Sequence, residues 1–130
     1  MIGLDTTFII DFLNGDADAV RKGQELDGRQ LVTTQINLFE VLTGLFLRKV
    51  RGAGDLQATL AFFERVGILS HQNEGSLQAA ELLAASYKSG KALAATDALI
   101  AGILLSSGCS RIVTRDSDFR RMTGMRVLGY

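Results

Sequence analysis

The sequence predicts an α/β/α sandwich, in which a central, mainly parallel sheet of about five strands is flanked by helices. Short apolar runs typical of buried strands alternate along the 130 residues with longer segments of helical periodicity. Apolar residues make up 47% of the chain and charged residues 22%, as in an average globular protein. Without proline, internal repeats or a linker, the chain is expected to form one domain over residues 1–130.

Two strands and three helices are predicted in the first fifty residues. "MIGLD" is short and apolar and ends in Asp, as a buried strand can. "TTFIIDFLN" has apolar residues at helical spacing after a threonine cap, and Gly15 stops this helix before a second short helix over 16–26. "RQLVTT" is the second strand, and Thr34 can cap a third helix over 35–50.

The remaining residues repeat this alternation. A helix is predicted over 54–66, the strand "GILSH" follows it, and two further helices cover 74–90 and 92–108. The strand "RIVTR", a helical turn over 116–122 and the strand "RVLGY" complete the pattern. Apolar strands that alternate with helices in this way imply parallel strands covered on both faces.

Charge and cysteine content exclude several classes of protein. Fourteen Lys and Arg balance fourteen Asp and Glu, which argues against a protein that binds nucleic acid through a large net positive charge. Five arginines nevertheless fall between residues 111 and 130. The single Cys109 excludes an internal disulfide, and there is no Cys or His cluster for zinc. No signal peptide precedes the domain, and the longest apolar stretch is interrupted by Asp97 and too short to span a membrane. A cytoplasmic protein with no membrane segment is expected.

Acidic residues occupy the places where an α/β fold builds its site. Ligands of such folds bind beyond the carboxyl ends of the strands, and Asp5 ends the first strand while Asp116 and Asp118 follow a late one. On the third helix, Glu40 borders an apolar arc that includes Phe39 and Phe46, and on the helix over 92–108 Asp97 shares a face with apolar residues.

These acids in one pocket would need a cation. Buried carboxylates are costly unless they are paired, protonated or metal-bound, and no Lys stands at a comparable position. Oxygen ligands favour Mg²⁺ or Mn²⁺, which can activate water and polarise a phosphoryl oxygen, so hydrolysis of a phosphodiester is indicated. Each acid taken alone is equally well explained as a helix cap, a turn residue or a solvated charge.

Four motifs resemble the PIN-domain ribonucleases of the VapC toxin family, over nearly the whole chain. "IGLDT" supplies Asp5 and Thr6, "INLFEVL" supplies Glu40, and "LAATDALIAG" supplies Asp97. "TRDSDF" matches the late motif and supplies Thr114, Asp116, Asp118 and Phe119. Gly102 stands where the family usually has Ala, and both acids of the last motif are present where many members carry Asn first. It remains open whether Asp116 or Asp118 faces the metal, and Asp116 is favoured because it lies nearer the strand end.

The resemblance implies a single PIN domain over residues 1–130 that cleaves RNA, including transfer RNA, with Mg²⁺ or Mn²⁺. It also implies a homodimer and a VapB-like antitoxin whose tail lies across the active site. The implied catalytic residues are Asp5, Glu40, Asp97 and Asp116. Among them Asp5, Asp97 and Asp116 would bind the metal, and Glu40 would hold a water or act as general base.

Further polar residues would orient these acids or touch phosphate. Thr6, Thr114 and Asp118 are the candidates for orienting, and Arg115 with Arg120 and Arg121 for phosphate contact, although arginines near a chain end are commonly solvated. The alternative reading is a catalytically silent PIN-like module that binds RNA or protein. A phosphatase with an aspartyl nucleophile is disfavoured, because Thr7 stands where its second Asp is needed.

Overall fold

Five parallel strands form the central sheet of the computed structural model, which describes residues 1–51 and 55–130. The strands are β1 (Ile2–Leu4), β2 (Leu31–Thr34), β3 (Gly67–Leu69), β4 (Arg111–Val113) and β5 (Arg126–Leu128). Their order is β3-β2-β1-β4-β5, so β1 lies at the centre. Gly3 of β1 is in register with Val32 of β2 on one side and with Ile112 of β4 on the other. The predicted fold class is therefore confirmed.

Six α-helices of the described residues connect these strands and cover both faces of the sheet. The helices are α1 (Thr6–Leu13), α2 (Ala17–Glu25), α3 (Gln35–Phe46), α4 (Asp55–Glu64), α5 (Asn73–Lys88) and α6 (Ala95–Ser106). A 3₁₀ turn at Ser117–Arg121 links β4 to β5. None of the helices within the described ranges is both long and apolar enough to cross a membrane.

Each face of the sheet has its own apolar core. Ile2 and Leu4 of β1 and Val113 of β4 pack with α1 to α4, whereas Val32 and Ile112 pack with α5, α6 and the 3₁₀ turn. Alternate side chains of a strand point to opposite faces, so a three-residue strand is enough to hold both layers together. The strand order runs outward from β1 to β2 and β3 on one side and from β4 to β5 on the other, so a crevice opens between β1 and β4 at the carboxyl ends of the strands. This crevice is where ligands of such folds bind.

Helix α6 is fixed against α5 by an unusually close approach of the two backbones. A Cβ atom placed on Gly102 would lie 2.5 Å from the carbonyl oxygen of Gly75 and 2.7 Å from the backbone nitrogen of Ala79. Such distances are far inside van der Waals contact, so only glycine fits. The departure at Gly102 from the family's usual Ala is thus a packing requirement of the helix that carries Asp97.

Two sequence-based boundaries need correction. Helix α3 ends at Phe46 rather than at residue 50, because Arg48 adopts a left-handed backbone (φ 58°) and the amide of Lys49 closes the helix on the carbonyl of Gly44. Helix α6 begins at Ala95 rather than at residue 92, because the backbone of Ala94 is extended. The predicted start of α4 at Gly54 lies outside the described residues.

Of the two places predicted for the apolar arc of helix α3, the core and a dimer face, the core is wrong for Phe39 and Phe46. Their side chains lie in that arc, yet 65% and 75% of their surface is exposed. The buried positions of the helix are Asn37, Val41, Gly44 and Leu45. The helix is apolar on too many sides for its periodicity to choose a face, so packing against α1 makes the choice instead.

Candidate metal centre

Asp5 lies at the carboxyl end of the central strand and is almost completely buried. Its backbone amide bonds to the carbonyl of Val113 across the sheet, which holds it beside β4. Its Oδ2 atom accepts hydrogen bonds from the hydroxyls of Thr114 (2.6 Å) and Thr7 (3.2 Å), and its Oδ1 atom accepts one from the amide of Asn37 (3.2 Å). Burial raises the pKa of Asp5, and the hydrogen bonds from the threonines oppose this rise.

Glu40 reaches the same crevice from helix α3 and is half-buried. Its Oε1 atom accepts a hydrogen bond of 2.7 Å from the hydroxyl of Thr6, the first residue of α1. Burial raises the pKa of Glu40, and the nearby charge of Asp5 raises it further, while the hydroxyls of Thr6 and Thr96 lower it. The first turn of α1 therefore connects the two acids.

Asp97, Asp116 and Asp118 form the tightest acidic group among the described residues. Each offers a carboxylate oxygen, and these three oxygens lie within 4.8 Å of one another. Asp97 lies in the first turn of α6, and Asp116 caps the 3₁₀ turn by accepting the amide of Asp118 at 2.8 Å. The amide of Asp116 in turn bonds to the hydroxyl of Thr114, which also holds Asp5.

The negative charges of the five acids act on one another, and the pKa of Asp97 shows the effect. The pKa of Asp97 rises to about 7, first because of burial and then because of the charges of Asp116, Asp5, Glu40 and Asp118. All four sequence-predicted catalytic acids therefore face one another at the carboxyl ends of the strands. A carboxyl group with a pKa near 7 at such a place is a mark of a functional site.

The donor atoms fit a hard divalent cation. Carboxylate oxygens without Cys or His are the ligands that Mg²⁺ and Mn²⁺ prefer, and three of them converge here. The composition of this group differs from the predicted ligand set of Asp5, Asp97 and Asp116. Asp118 stands in the tight group, and Asp5 lies outside it with both oxygens hydrogen-bonded.

The predicted phosphate contact Arg115 is engaged elsewhere at the rim. Its guanidinium forms a bidentate pair with Asp11, with an Nε–Oδ2 distance of 2.8 Å. Tyr130 donates its hydroxyl proton to the same carboxylate at 2.7 Å. Arg121 pairs with Asp118 at 3.1 Å, and Arg120 is exposed.

Three polar residues of this site were not identified from the sequence. Asn37 bonds to Asp5 and Thr6, Thr7 bonds to Asp5 and Thr114, and Thr96 bonds to Glu40. Their positions carried a signal, since each lies within three residues of a candidate acid along the chain. Spacing does not show, however, which neighbouring hydroxyl or amide turns inward.

Comparison with known proteins bears on both fold and family. The PIN-domain family model matches residues 2–125. The VapBC2 complex of Rickettsia felis with promoter DNA is similar with a TM-score of 0.82 and 20% identity, covering 100% of this chain and 99% of that one. VapBC-1 of nontypeable Haemophilus influenzae has a TM-score of 0.79 and 25% identity, with coverage of 99% and 98%.

A third structure is a toxin by itself. VapC20 of Mycobacterium tuberculosis, described as a Sarcin-Ricin loop cleaving toxin, has a TM-score of 0.72 and 21% identity, covering 97% of this chain and 99% of that one. No curated protein matches the chain in sequence. The family match over nearly the whole chain confirms the resemblance carried by the four motifs, and the chain belongs to the PIN-domain family.

Proposed function

We propose that this protein is an endoribonuclease that depends on Mg²⁺ or Mn²⁺ and is the toxin of a VapBC-type toxin-antitoxin pair. The observation that carries the proposal is the convergence of carboxylate oxygens of Asp97, Asp116 and Asp118 within 4.8 Å of one another. The charges of Asp5 and Glu40 act on the same group and help to raise the pKa of Asp97 to about 7. A fold needs no such concentration of negative charge, whereas a site for a divalent cation does. Nucleases are the enzymes of the PIN and VapC family to which the chain is similar.

Each acid has a proposed part in the reaction. Asp97 and Asp116 would hold the cation, with Asp118 beside them and Asp5 behind them as a further ligand. When bound, the cation would activate water and stabilise the charge that develops on the phosphoryl oxygen. Glu40 would act as general base, since its raised pKa suits it to accept a proton from the attacking water.

The threonines around the acids would keep these carboxylates in place. Thr114 donates to Asp5 and accepts from the amide of Asp116, so one hydroxyl holds acids from two strands. The hydroxyl of Thr6 donates to Oε1 of Glu40 and so holds this one acid. Groups that orient ligands in this way commonly change metal affinity or activity about 10–100-fold when they are removed.

The proposed partners follow from the similar structures and from the charges near the site. VapC20 is described as cleaving the sarcin-ricin loop, and we propose a structured RNA, such as transfer RNA, as the substrate class here. The exposed Arg120 would meet its phosphates, and Arg115 and Arg121 would join it only by exchanging their pairs with Asp11 and Asp118 for phosphate. A VapB-like antitoxin, a homodimer, a single domain over residues 1–130 and a cytoplasmic location complete the proposal.

Cleavage of RNA by the purified protein tests this proposal. Antitoxin-free protein would be incubated with total cellular RNA in Mg²⁺, in Mn²⁺ and in EDTA, beside the variants Asp97→Asn and Asp27→Asn. Asp27 is an exposed acid on the surface away from the site, so it receives the same chemical change without touching the cluster. We expect discrete cuts in either metal for the wild type and for Asp27→Asn, and none in EDTA or for Asp97→Asn.

Two results would count against the proposal. Cuts that persist in EDTA or in Asp97→Asn would show that the acidic site is not the source of cleavage. A folded, inhibitor-free wild type that cuts no RNA in any condition would favour the catalytically silent binding module instead.

A further inference from the structure

Asn37 is a fully buried polar residue that the proposed reaction does not use. It lies in the first turn of helix α3, one helical turn before Glu40, and none of its surface is exposed. Burying an amide costs free energy unless its donors and acceptors are paired. The side chain of Asn37 is fully engaged, and its partners are Asp5 directly after β1, Thr6 at the start of α1 and Thr34 at the end of β2.

The orientation of this amide is fixed by Thr34. The backbone N–H of Thr34 can only donate, and it points at Oδ1 of Asn37 (3.2 Å), as does the hydroxyl of Thr34 (2.7 Å). The Nδ2 atom must therefore face the other way. There it donates to Oδ1 of Asp5 at 3.2 Å and to Oγ1 of Thr6 at 3.0 Å.

The bond to Thr6 sets the direction of a short hydrogen-bond chain. A threonine hydroxyl has one proton, and because Nδ2 of Asn37 can only donate, the hydroxyl of Thr6 accepts from Asn37. Its own proton is then directed to Oε1 of Glu40, at 2.7 Å. The amide of Asn37 therefore occupies Oδ1 of Asp5 directly. Through Thr6 it also keeps Oε1 of Glu40 as a hydrogen-bond acceptor.

We propose that Asn37 is a positioning residue, whose amide holds both Asp5, a proposed ligand of the divalent cation, and Glu40, the proposed general base, in their places at the site. This inference rests on the proposed function and deepens it. Asp5 and Glu40 lie on different elements, and helix-to-sheet packing alone does not fix two carboxylates to within about 0.5 Å, as a catalytic site needs. The bridge through Asn37 and Thr6 supplies that constraint.

Helix capping is the competing explanation. Asn37 and Thr34 form a reciprocal capping box, which stabilises the start of α3. The cap, however, uses only the backbone N–H and Oδ1 of Asn37. The two bonds from Nδ2 contribute nothing to it, and both are made to the acidic site.

Metal binding separates positioning from capping without reference to catalysis. Binding of Mn²⁺ would be measured by calorimetry on wild type, Asn37→Ala, Thr6→Val and a control, Val41→Ala. Val41 is fully buried one turn further along α3 and has no polar side-chain atom, so its truncation weakens the fold without touching the acids. We expect Asn37→Ala to weaken Mn²⁺ binding about 10–100-fold, and Val41→Ala to lower the melting temperature at unchanged affinity.

The kinetic constants of RNA cleavage provide a second test of positioning. Loss of positioning lowers kcat for RNA cleavage and shifts activation to higher Mn²⁺ concentration, while KM for RNA stays the same. Because Asn37 acts on Glu40 through Thr6, combining Asn37→Ala with Thr6→Val should cost less than the product of the two separate losses. If the loss in the double variant equals the product of the two separate losses, the hydrogen-bond chain from Asn37 through Thr6 to Glu40 is refuted.

The possible failures can be told apart. Wild-type protein that binds Mn²⁺ but cuts no RNA would refute the proposed function, and the inference on Asn37 would still be decided by the affinities. Asn37→Ala with wild-type affinity and kcat would overturn the inference alone. If Asn37→Ala does not fold, Thr6→Val, which keeps its shape, decides: unchanged affinity and kcat in that variant would refute positioning.

Discussion

Replacing Asp97 by Asn should stabilise the metal-free protein at neutral and alkaline pH. Raising a carboxyl pKa from its ordinary 3.8 to about 7 corresponds to about 4 kcal/mol of destabilisation once the group is ionised. Asp97 is only half-buried, so solvent screening reduces this to about 1–2 kcal/mol. For a domain of this size the change corresponds to a rise in Tm of about 4–8 °C.

The sign of this effect depends on pH. The pKa of Asp97 is higher in the folded than in the unfolded chain, so the folded state keeps the proton longer. The contribution to stability is fully present below pH 3.8 and is lost as the pH rises through about 7. An Asn at this position does not titrate, so the advantage of the variant grows from near zero at pH 4 to its full size at pH 8.

Thermal unfolding in EDTA at pH 4.5 and pH 8 measures this difference. The reasoning is refuted if Asp97→Asn has the same advantage at both values, or if it is less stable than wild type at pH 8. Addition of Mn²⁺ at pH 8 should then reverse the order, because the cation relieves the repulsion in the wild type and binds the variant poorly.

Three further predictions concern other parts of the molecule. Asp5→Asn should abolish cleavage yet gain less stability than Asp97→Asn, because the carboxylate accepts three hydrogen bonds on its two oxygens and an amide has only one oxygen to accept them; an equal gain in melting experiments would contradict this geometry. Gly102→Ala should cost about 3 kcal/mol in chemical denaturation, because its Cβ would meet backbone atoms of α5, and a neutral result would show that the helices can move apart. Tyr130→Phe should cost about 1 kcal/mol by removing the bond to Asp11. Burial raises the pKa of Tyr130, so in an absorbance titration the variant should lack the tyrosinate signal at the highest pH.

The sequence was sufficient for the strands and for the acids that follow them. A short apolar run that ends in Asp, as at Asp5, admits few structures other than a buried strand before a turn. The alternation with helices then determines a parallel sheet. Asp97 could be assigned to the crevice because helical spacing places it beside apolar neighbours that are buried, such as Ile100, Ala101 and Leu104, whereas Glu40 was identified by its motif.

The sequence was not sufficient for features that depend on distance between elements. Asn37 and Glu40 share a helix face, but only the packing of α3 on β1 shows that the amide reaches Asp5. Phe39 shows the opposite error, since an apolar residue on an apolar helix is exposed here. Asp118 belongs to the tight acidic group only because of the conformation of the 3₁₀ turn. A turn of five residues is too short to show a pattern of apolar residues from which that conformation could be predicted.

The central position of β1 has a consequence for the time at which the site comes into being during synthesis. Thr114, which holds the carboxylate of Asp5, lies 109 residues further along the chain, so it leaves the ribosome much later than Asp5 does. A nascent chain that already contains Asp5, Glu40 and Asp97 still lacks β4 and the segment that carries Asp116. Because its first and late residues must meet across neighbouring strands, the protein cannot begin the proposed cleavage while those late residues are untranslated.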